Sequence, residues 1–253
     1  METPVIDFHC HVGSWGRFGM DDDVELFLRA LDRAGIDRAC INCIFHGEAR
    51  RGNDLVAEFV RNAPDRFIPV AFVTPHYPEE MVPELERCFD QLGARYIKIY
   101  PHYVGVSQED PIYYPIFEFA SDRNLAVMSH AWHYFDPESV SIVKRYEILL
   151  KRFPGVHWVI AHGGSGWHGP IFGRRVVEAA HELPEIYLET CGRTRPGAID
   201  YVVDRVGADR VLFGTDMPLL DGAQQIAKIV MAGISAEEKQ KILGLNAKRL
   251  LNL

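Results

Sequence analysis

Val5-Ile6-Asp7-Phe8 runs directly into His9-Cys10-His11, the next periodic segment is Asp22–Ala34, and a second short apolar run follows at Arg38–Ile44. Asp22–Ala34 places Val24, Phe27, Leu28 and Leu31 on one helical face, so the three segments read as a strand, a helix and a strand. Runs of the same kind recur at Phe67–Phe72, Tyr96–Ile99, Leu125–Met128, His157–Ile160, Ile186–Leu188 and Val211–Phe213, making eight in all. Between the fifth and sixth, Glu138–Phe153 carries Val140, Val143, Ile148 and Leu149 at helical spacing. Apolar strands that alternate with helices predict a parallel sheet covered on its faces. Eight such units fit an α/β fold of the (β/α)8 TIM-barrel type better than an open sheet of five or six strands.

Punctuation agrees with that reading. Gly35 is placed as a C-cap, Pro64 and Pro154 stop the second and fifth helices, and Ser235-Ala-Glu-Glu reads as an N-cap with an acidic first turn. Linkers, repeats and low-complexity tracts are absent, so residues 1–253 read as a single domain, with additional C-terminal helices near Ser235–Leu243 and Ala247–Leu251 packed on the outside. A composition of 47% hydrophobic and 25% charged residues excludes disorder, collagen and coiled coil. The formal net charge of −8 and the lack of a basic stripe argue against nucleic acid as a partner. The longest stretch without Lys, Arg, Asp or Glu, Phe153–Gly173, is broken by glycines and holds three histidines, so no membrane span is expected. Five scattered cysteines and an acidic start without a long apolar segment point to the cytoplasm.

In a barrel of this type the chemistry collects at the C-terminal ends of the strands. Here the first run ends in His9-Cys10-His11, the fourth carries Lys98, the fifth ends at His130, the sixth at His162 and the eighth at Asp216. Strand periodicity places His9 and His11 on one face, with Asp7 below them on that face and Cys10 turned away. A lone His-x-His could be two hydrogen-bonded core residues, but three further strand ends add two imidazoles and a carboxylate. Such an N- and O-rich set suits a divalent ion. For Asp216, Thr-Asp-Met-Pro is also good turn chemistry. Cys40 and Cys43 fall on opposite faces of their strand, and Cys191 ends the seventh strand with no role assigned.

Ile6-Asp7-Phe8-His9-Cys10-His11, Ala161-His162-Gly163-Gly164, Phe213-Gly214-Thr215-Asp216-Met217-Pro218 and Lys241-Ile242-Leu243-Gly244-Leu245-Asn246-Ala247 together resemble the amidohydrolase superfamily. Within it, the resemblance is to the amidohydrolase-related (amidohydrolase 2) branch of metal-dependent hydrolases and decarboxylases. It spans the whole chain and implies a (β/α)8 barrel with His9, His11, His130 and Asp216 as metal ligands and His162 beside a metal-bound water. One divalent metal is expected, zinc first, with manganese or iron open. Lys98, in the context Lys98-Ile99-Tyr100-Pro101-His102, has three readings: it neutralises the site or holds an anionic substrate, it bridges two metals when carboxylated, or its stem snorkels to water.

Loops ringed by Trp15, Arg17, Phe18, His46, His102, Tyr103, Trp132, His133, Tyr134, Trp167, His168, Arg193 and Arg195 suit a small organic substrate bearing a carboxylate. Lys98, Arg193 and Trp15 are the expected substrate contacts, and Asp216 and His162 the expected catalytic groups. The leading expectation is a hydrolase that attacks an amide, ester or lactone with an activated water. The alternatives are a lyase that removes CO2 from an aromatic or unsaturated acid and a non-catalytic metal-binding barrel. Chain length favours the hydrolase, because decarboxylases of this branch tend to be longer. A homo-oligomer is left open, since an isologous interface leaves no motif.

Overall fold

The computed structural model describes residues 3–14, 23–44, 47–130, 142–164 and 171–253. Strand β1 (Ile6–His11) pairs in parallel with β2 (Arg38–Asn42), and β2 with β3 (Phe67–Pro69). β4 (Ala71–Phe72), β5 (Ile97–Ile99), β6 (Ala126–Ser129), β7 (His157–Ile160), β8 (Ile186–Glu189) and β9 (Val211–Leu212) form a second parallel series in chain order. β3 and β4 are one stave divided at Val70. Val70 N–H donates to Ile41 O, whereas the next amide, Ala71 N–H, donates to Tyr96 O, so the two series are continuous. The ring closes where Phe8 N–H reaches Phe213 O at 2.9 Å, Asp216 N–H reaches His9 O at 2.8 Å and His11 N–H reaches Met217 O at 2.7 Å. Eight staves result, a (β/α)8 barrel without an open edge.

Helices α1 (Val24–Ala34), α2 (Ala49–Asn62), α3 (Pro78–Asp90), the single turn α4 (Pro101–Val104), α5 (Tyr114–Asp122), α6 (Ile142–Arg152), α7 (Arg174–Glu182), α8 (Ala198–Val206) and α9 (Gly222–Val230) follow their strands. The expected signals act where they stand. Asp23 caps α1 by accepting from Leu26 N–H, Gly35 ends it at φ 70°, and α2 and α6 each stop two residues before their proline. The N-terminal part of the expected helix Glu138–Phe153 lies outside the described residues.

Side chains on the staves divide into two sets. Val211, Phe213, Ile97, Ile99, Trp158 and Ile160 join Leu31, Phe59, Leu85 and Phe117 of the helices in an outer core. Ile6, Phe8, Ile68, Val70, Tyr96, Met128, Val159 and Leu212 form a separate cluster inside the barrel, where Phe8 stacks on Tyr96 with centroids 4.5 Å apart. Cys40 belongs to the inner cluster and Cys43 to the outer, as their spacing predicts.

The end of the chain departs from expectation. The capping box on Ser235 starts α10 (Ala236–Gln240), which gives way to a π turn at Lys241–Leu245 before α11 (Asn246–Leu250). Ala247 and Leu251 do not lie on the outside. They join the inner cluster with Ile6 and Leu212, and Asn246 Nδ2–H donates to Ala208 O and Val211 O, so this segment closes the N-terminal end of the barrel. Among the described residues, no helix is long and apolar enough to cross a membrane.

One irregularity sets the geometry of the site. β1 and β2 pair Asp7 with Ala39 and Cys10 with Ile41, so three steps on β1 match two on β2. This bulge breaks the period of two. Ile6 and Phe8 face inward, and His9 and His11 still face the interior above them, while Asp7 and Cys10 share the outer side. Asp7 therefore does not lie beneath the histidines, as simple alternation predicts. It accepts from Cys10 Sγ–H at 2.9 Å and from Thr215 Oγ1–H, and burial pushes its carboxyl up to about 7.

Candidate metal centre

Above the inner cluster the same alternation continues with polar residues. Tyr96 is followed inward by Lys98 and Tyr100, Met128 by His130, Leu212 by Gly214 and Asp216, and Tyr187 by Glu189 and Cys191. His11 Nε2 lies 2.8 Å and His9 Nε2 3.6 Å from Asp216 Oδ1. Ring centroids of His9 and His11 are 4.9 Å apart, those of His9 and His162 5.1 Å, and those of His162 and His130 4.8 Å. All five of the expected residues, His9, His11, His130, His162 and Asp216, are thus buried in one contiguous cluster.

Two of them occupy unusual backbone. His162 has φ 55° and Asp216 φ 63°, the left-handed region, each where a strand turns into its loop. For a non-glycine residue this costs roughly 1–2 kcal/mol, and it swings the side chain back over the barrel mouth. Gly163 and Gly164 let the turn after His162 pass against Phe172 and Val176, where an added Cβ would overlap both neighbours.

Sequence reading missed Glu189. The apolar run Ile186–Leu188 stops one residue short of it, although the alternation Tyr187, Glu189, Cys191 points it inward. Its carboxylate accepts from His162 N–H at 2.9 Å and from Cys191 N–H, and its Oε2 lies 3.2 Å from His9 Nδ1. Gly214 leaves it room, since a Cβ there would overlap the carboxylate. Cys191 also faces the site, with Sγ 2.9 Å from His162 Nδ1, 3.0 Å from Glu189 Oε2 and 3.5 Å from His9 Nδ1.

Lys98 does not snorkel to water. It is fully buried with Nζ 3.1 Å from His9 Nε2 and 4.9 Å from the Tyr100 ring centroid. Burial pushes its ammonium down to about 8. Burial also holds His9, His130 and His162 below the usual imidazole range, with the Lys98 charge adding to the effect on all three. Asp216 goes the other way. Burial alone would raise its carboxyl, but His162, His11 and His9 outweigh that and bring it to about 2.

The donor set suits a divalent cation. His130 Nδ1 and His162 Nε2 are buried with no hydrogen-bond partner among the described residues, which imidazoles tolerate best when a further group completes them. His9, His162, Cys191 and Asp216 each offer a ligand atom within 4.8 Å of the others, a group that shares His9 and Asp216 with the expected ligand set. His130 reaches this group through His162.

Beside the cluster opens a cavity of about 340 Å³, lined by His162, Asp216, Arg193, Gln224, Gln225 and Lys228. On the other side Tyr100, Tyr103 and His130 stack with centroids 5.0–5.4 Å apart. Arg193 and Arg195 are both exposed, and Arg193 borders this cavity. Trp15, Arg17, Phe18, His46, Trp132, His133, Tyr134, Trp167 and His168 lie outside the described residues.

A closed parallel barrel with histidines and an aspartate at its strand ends defines a class of metal-dependent enzymes. The Amidohydro_2 family model, described as amidohydrolase, matches residues 6–253, and the chain belongs to that family. It is an enzyme of the amidohydrolase superfamily. It is 25% identical over 240 residues to 2-amino-3-carboxymuconate-6-semialdehyde decarboxylase of Dictyostelium discoideum, a match covering 79% of this chain and 65% of that one. The chain therefore spans less than two thirds of that relative. Gamma-resorcylate decarboxylase of Polaromonas sp. strain JS666 is 24% identical over 279 residues, covering 91% of this chain and 84% of that one. A dihydroxybenzoic acid decarboxylase structure from Polaromonas sp. JS666, with bound manganese and 2-nitroresorcinol, superposes with a TM-score of 0.75 at 20% identity, covering 100% of this chain and 98% of that one.

These names overturn the leading expectation of a hydrolase and favour the lyase alternative. The residues at the strand ends support both reactions, so the hydrolase reading leaned on chain length. Length misleads because the catalytic groups sit on the barrel itself, and the longer relatives still align over most of this chain.

Proposed function

We propose that the protein is a metal-dependent, non-oxidative decarboxylase of a small aromatic or unsaturated carboxylic acid. His9, His11, His130 and Asp216 hold one divalent cation, manganese or zinc, and the whole chain serves this site as one domain. The observation that carries the reading is the buried ammonium of Lys98 against His9. With a dication bound, the site sets two positive groups, Lys98 and the ion, against two carboxylates, Asp216 and Glu189. The surplus positive charge is what a substrate carboxylate neutralises in a site shielded from water. The relatives act, by name, on carboxylated aromatic or muconate compounds, and one structural neighbour binds manganese.

The bound cation supplies a Lewis-acid anchor for substrate oxygens and stabilises negative charge as the reaction proceeds. Decarboxylation breaks the bond between the substrate carbon and its carboxyl. CO2 leaves, the electron pair stays on carbon, and one proton must fill the vacancy. His162 Nε2, buried with no hydrogen-bond partner among the described residues, takes up that proton, which comes in net from solvent, and delivers it to the vacated carbon, with Asp216 as the relay. Tyr100, Tyr103 and His130 offer a flat surface for a ring, while Lys98 and Arg193 bind its anionic groups.

Elemental analysis of untagged protein purified without added metal should give about one equivalent of divalent metal, and His9→Ala with His11→Ala should lower it to background. The manganese-loaded enzyme should then release labelled CO2 from carboxyl-13C 2,6-dihydroxybenzoate, 5-carboxyvanillate or an unsaturated diacid, and in D2O place one deuterium on the vacated carbon. No release above that of the chelated protein across these acids would overturn the proposal.

A further inference from the structure

His9 has two ring nitrogens in contact with groups of opposite character. An ammonium has no lone pair, so Lys98 can only donate to His9 Nε2, 3.1 Å away. That leaves the ring proton on Nδ1, where Glu189 Oε2, an acceptor, waits at 3.2 Å. Both ends of the imidazole select the same tautomer.

His162 is reached through one intermediate. Cys191 has a single S–H, and of its neighbours the Glu189 carboxylate at 3.0 Å is the charged acceptor. With its proton so engaged, the sulfur accepts, and His162 Nδ1 at 2.9 Å donates to it. The consequence agrees with an independent observation: His162 Nε2 is the ring nitrogen left buried with no partner among the described residues. The same Glu189 carboxylate takes His162 N–H at 2.9 Å and so also pins the left-handed turn.

We infer that Glu189, directly on His9 and through Cys191 on His162, is a positioning residue that keeps the proton of both imidazoles on Nδ1 and leaves both Nε2 lone pairs facing the site, where that of His9 accepts from Lys98 until a cation displaces the ammonium. One carboxylate therefore prepares one ring for a cation and the other for a proton. Its geometry stands without the metal, while its consequence for catalysis rests on the decarboxylase reading. Gly214 is part of the device, because any side chain there would displace the carboxylate.

Metal-free protein labelled with 15N-histidine, examined by two-bond 1H–15N correlation, shows which nitrogen of each ring is protonated. Nδ1–H on His9 and His162 is the expected result, and Nε2–H on either overturns the inference. Glu189→Gln should weaken Mn²⁺ binding about 10–100-fold, with Glu189→Asp recovering part of the loss. Cys191→Ala should mix the His162 tautomers and lower turnover about tenfold, with Cys191→Ser restoring both, since the thiol is the link between Glu189 and the His162 ring. A folded Glu189→Gln protein with unchanged Mn²⁺ affinity would refute the idea. If Glu189→Gln does not fold, the wild-type spectrum and the Cys191 pair decide. If the wild type binds no Mn²⁺, the metal reading fails, and the tautomers still answer for Glu189.

Discussion

The lower and upper halves of the barrel interior are built from the same staves, yet they obey opposite rules. Below, Ile6, Phe8, Ile68, Val70, Tyr96, Met128 and Leu212 fill the space with apolar volume. Above, one to four residues further along the strands, stand His9, His11, Lys98, His130, Glu189 and Asp216, as buried as the residues beneath them. Burial stabilises the first layer and penalises the second, where contacts such as Glu189 with His9 and Asp216 with His11 offset part of the cost. The bulge in β1 joins the two, letting Phe8 and His9, adjacent in sequence, both serve the interior. The lesson is that the lower layer provides the stability against which the upper layer's burial and left-handed turns are held.

If that division is real, the halves should fail separately. The largest effect is expected from Asp216→Asn, which should lower turnover by about two to four orders of magnitude, because the proton acceptor is lost while Asn accepts the same backbone. Its melting temperature should stay close to wild type, and a large drop in melting together with a normal rate would erase the distinction. Phe8→Ala tests the other half. Loss of its stacking on Tyr96 and the cavity left behind should cost about 3–5 kcal/mol in denaturant unfolding, with metal stoichiometry retained in the folded protein. Loss of metal without loss of stability would mean that the layers are not separable in this way.

The smallest effect sharpens the picture at the lower rim. His157, at the start of β7, is half-buried, and burial holds its imidazole below the usual range, opposed by Glu185. The unfolded chain therefore takes up a proton at a higher pH than the folded one, so this residue contributes stability that is lost as pH falls through and below 6.5. His157→Gln should flatten that part of the stability profile slightly, read by thermal melting between pH 7 and pH 5. A steeper acid loss in the variant would show the sign to be wrong.

Much of the site was legible because it follows a period of two. His130 comes two residues after Met128, and Asp216 comes four after Leu212, so a reader who finds the strands also finds what stands at their ends. Where the period failed, reading failed with it. Asp7 was expected with the histidines, and the bulge moved it to the outer side beside Cys10 and Thr215. Glu189 was passed over because a charged residue after Leu188 looks like the end of a strand, when it is the strand's last inward position. The C-terminal helices were expected outside, for an amphipathic helix carries no mark of which surface it covers, and Ala247 and Leu251 close the barrel floor.

The sequence by itself determined the number and order of strand–helix units, the chemical character of each strand end and the family, because these are local properties of composition and spacing. Tertiary structure alone decided that Lys98 lies against His9, that Glu189 joins His9 to Cys191 and His162, and that Asp216 reaches both His9 and His11. Apart from the shorter links among His162, Glu189 and Cys191, those contacts join residues from 89 to more than 200 positions apart, and their distances depend on how the ring closes and where one strand bulges, which no local pattern encodes.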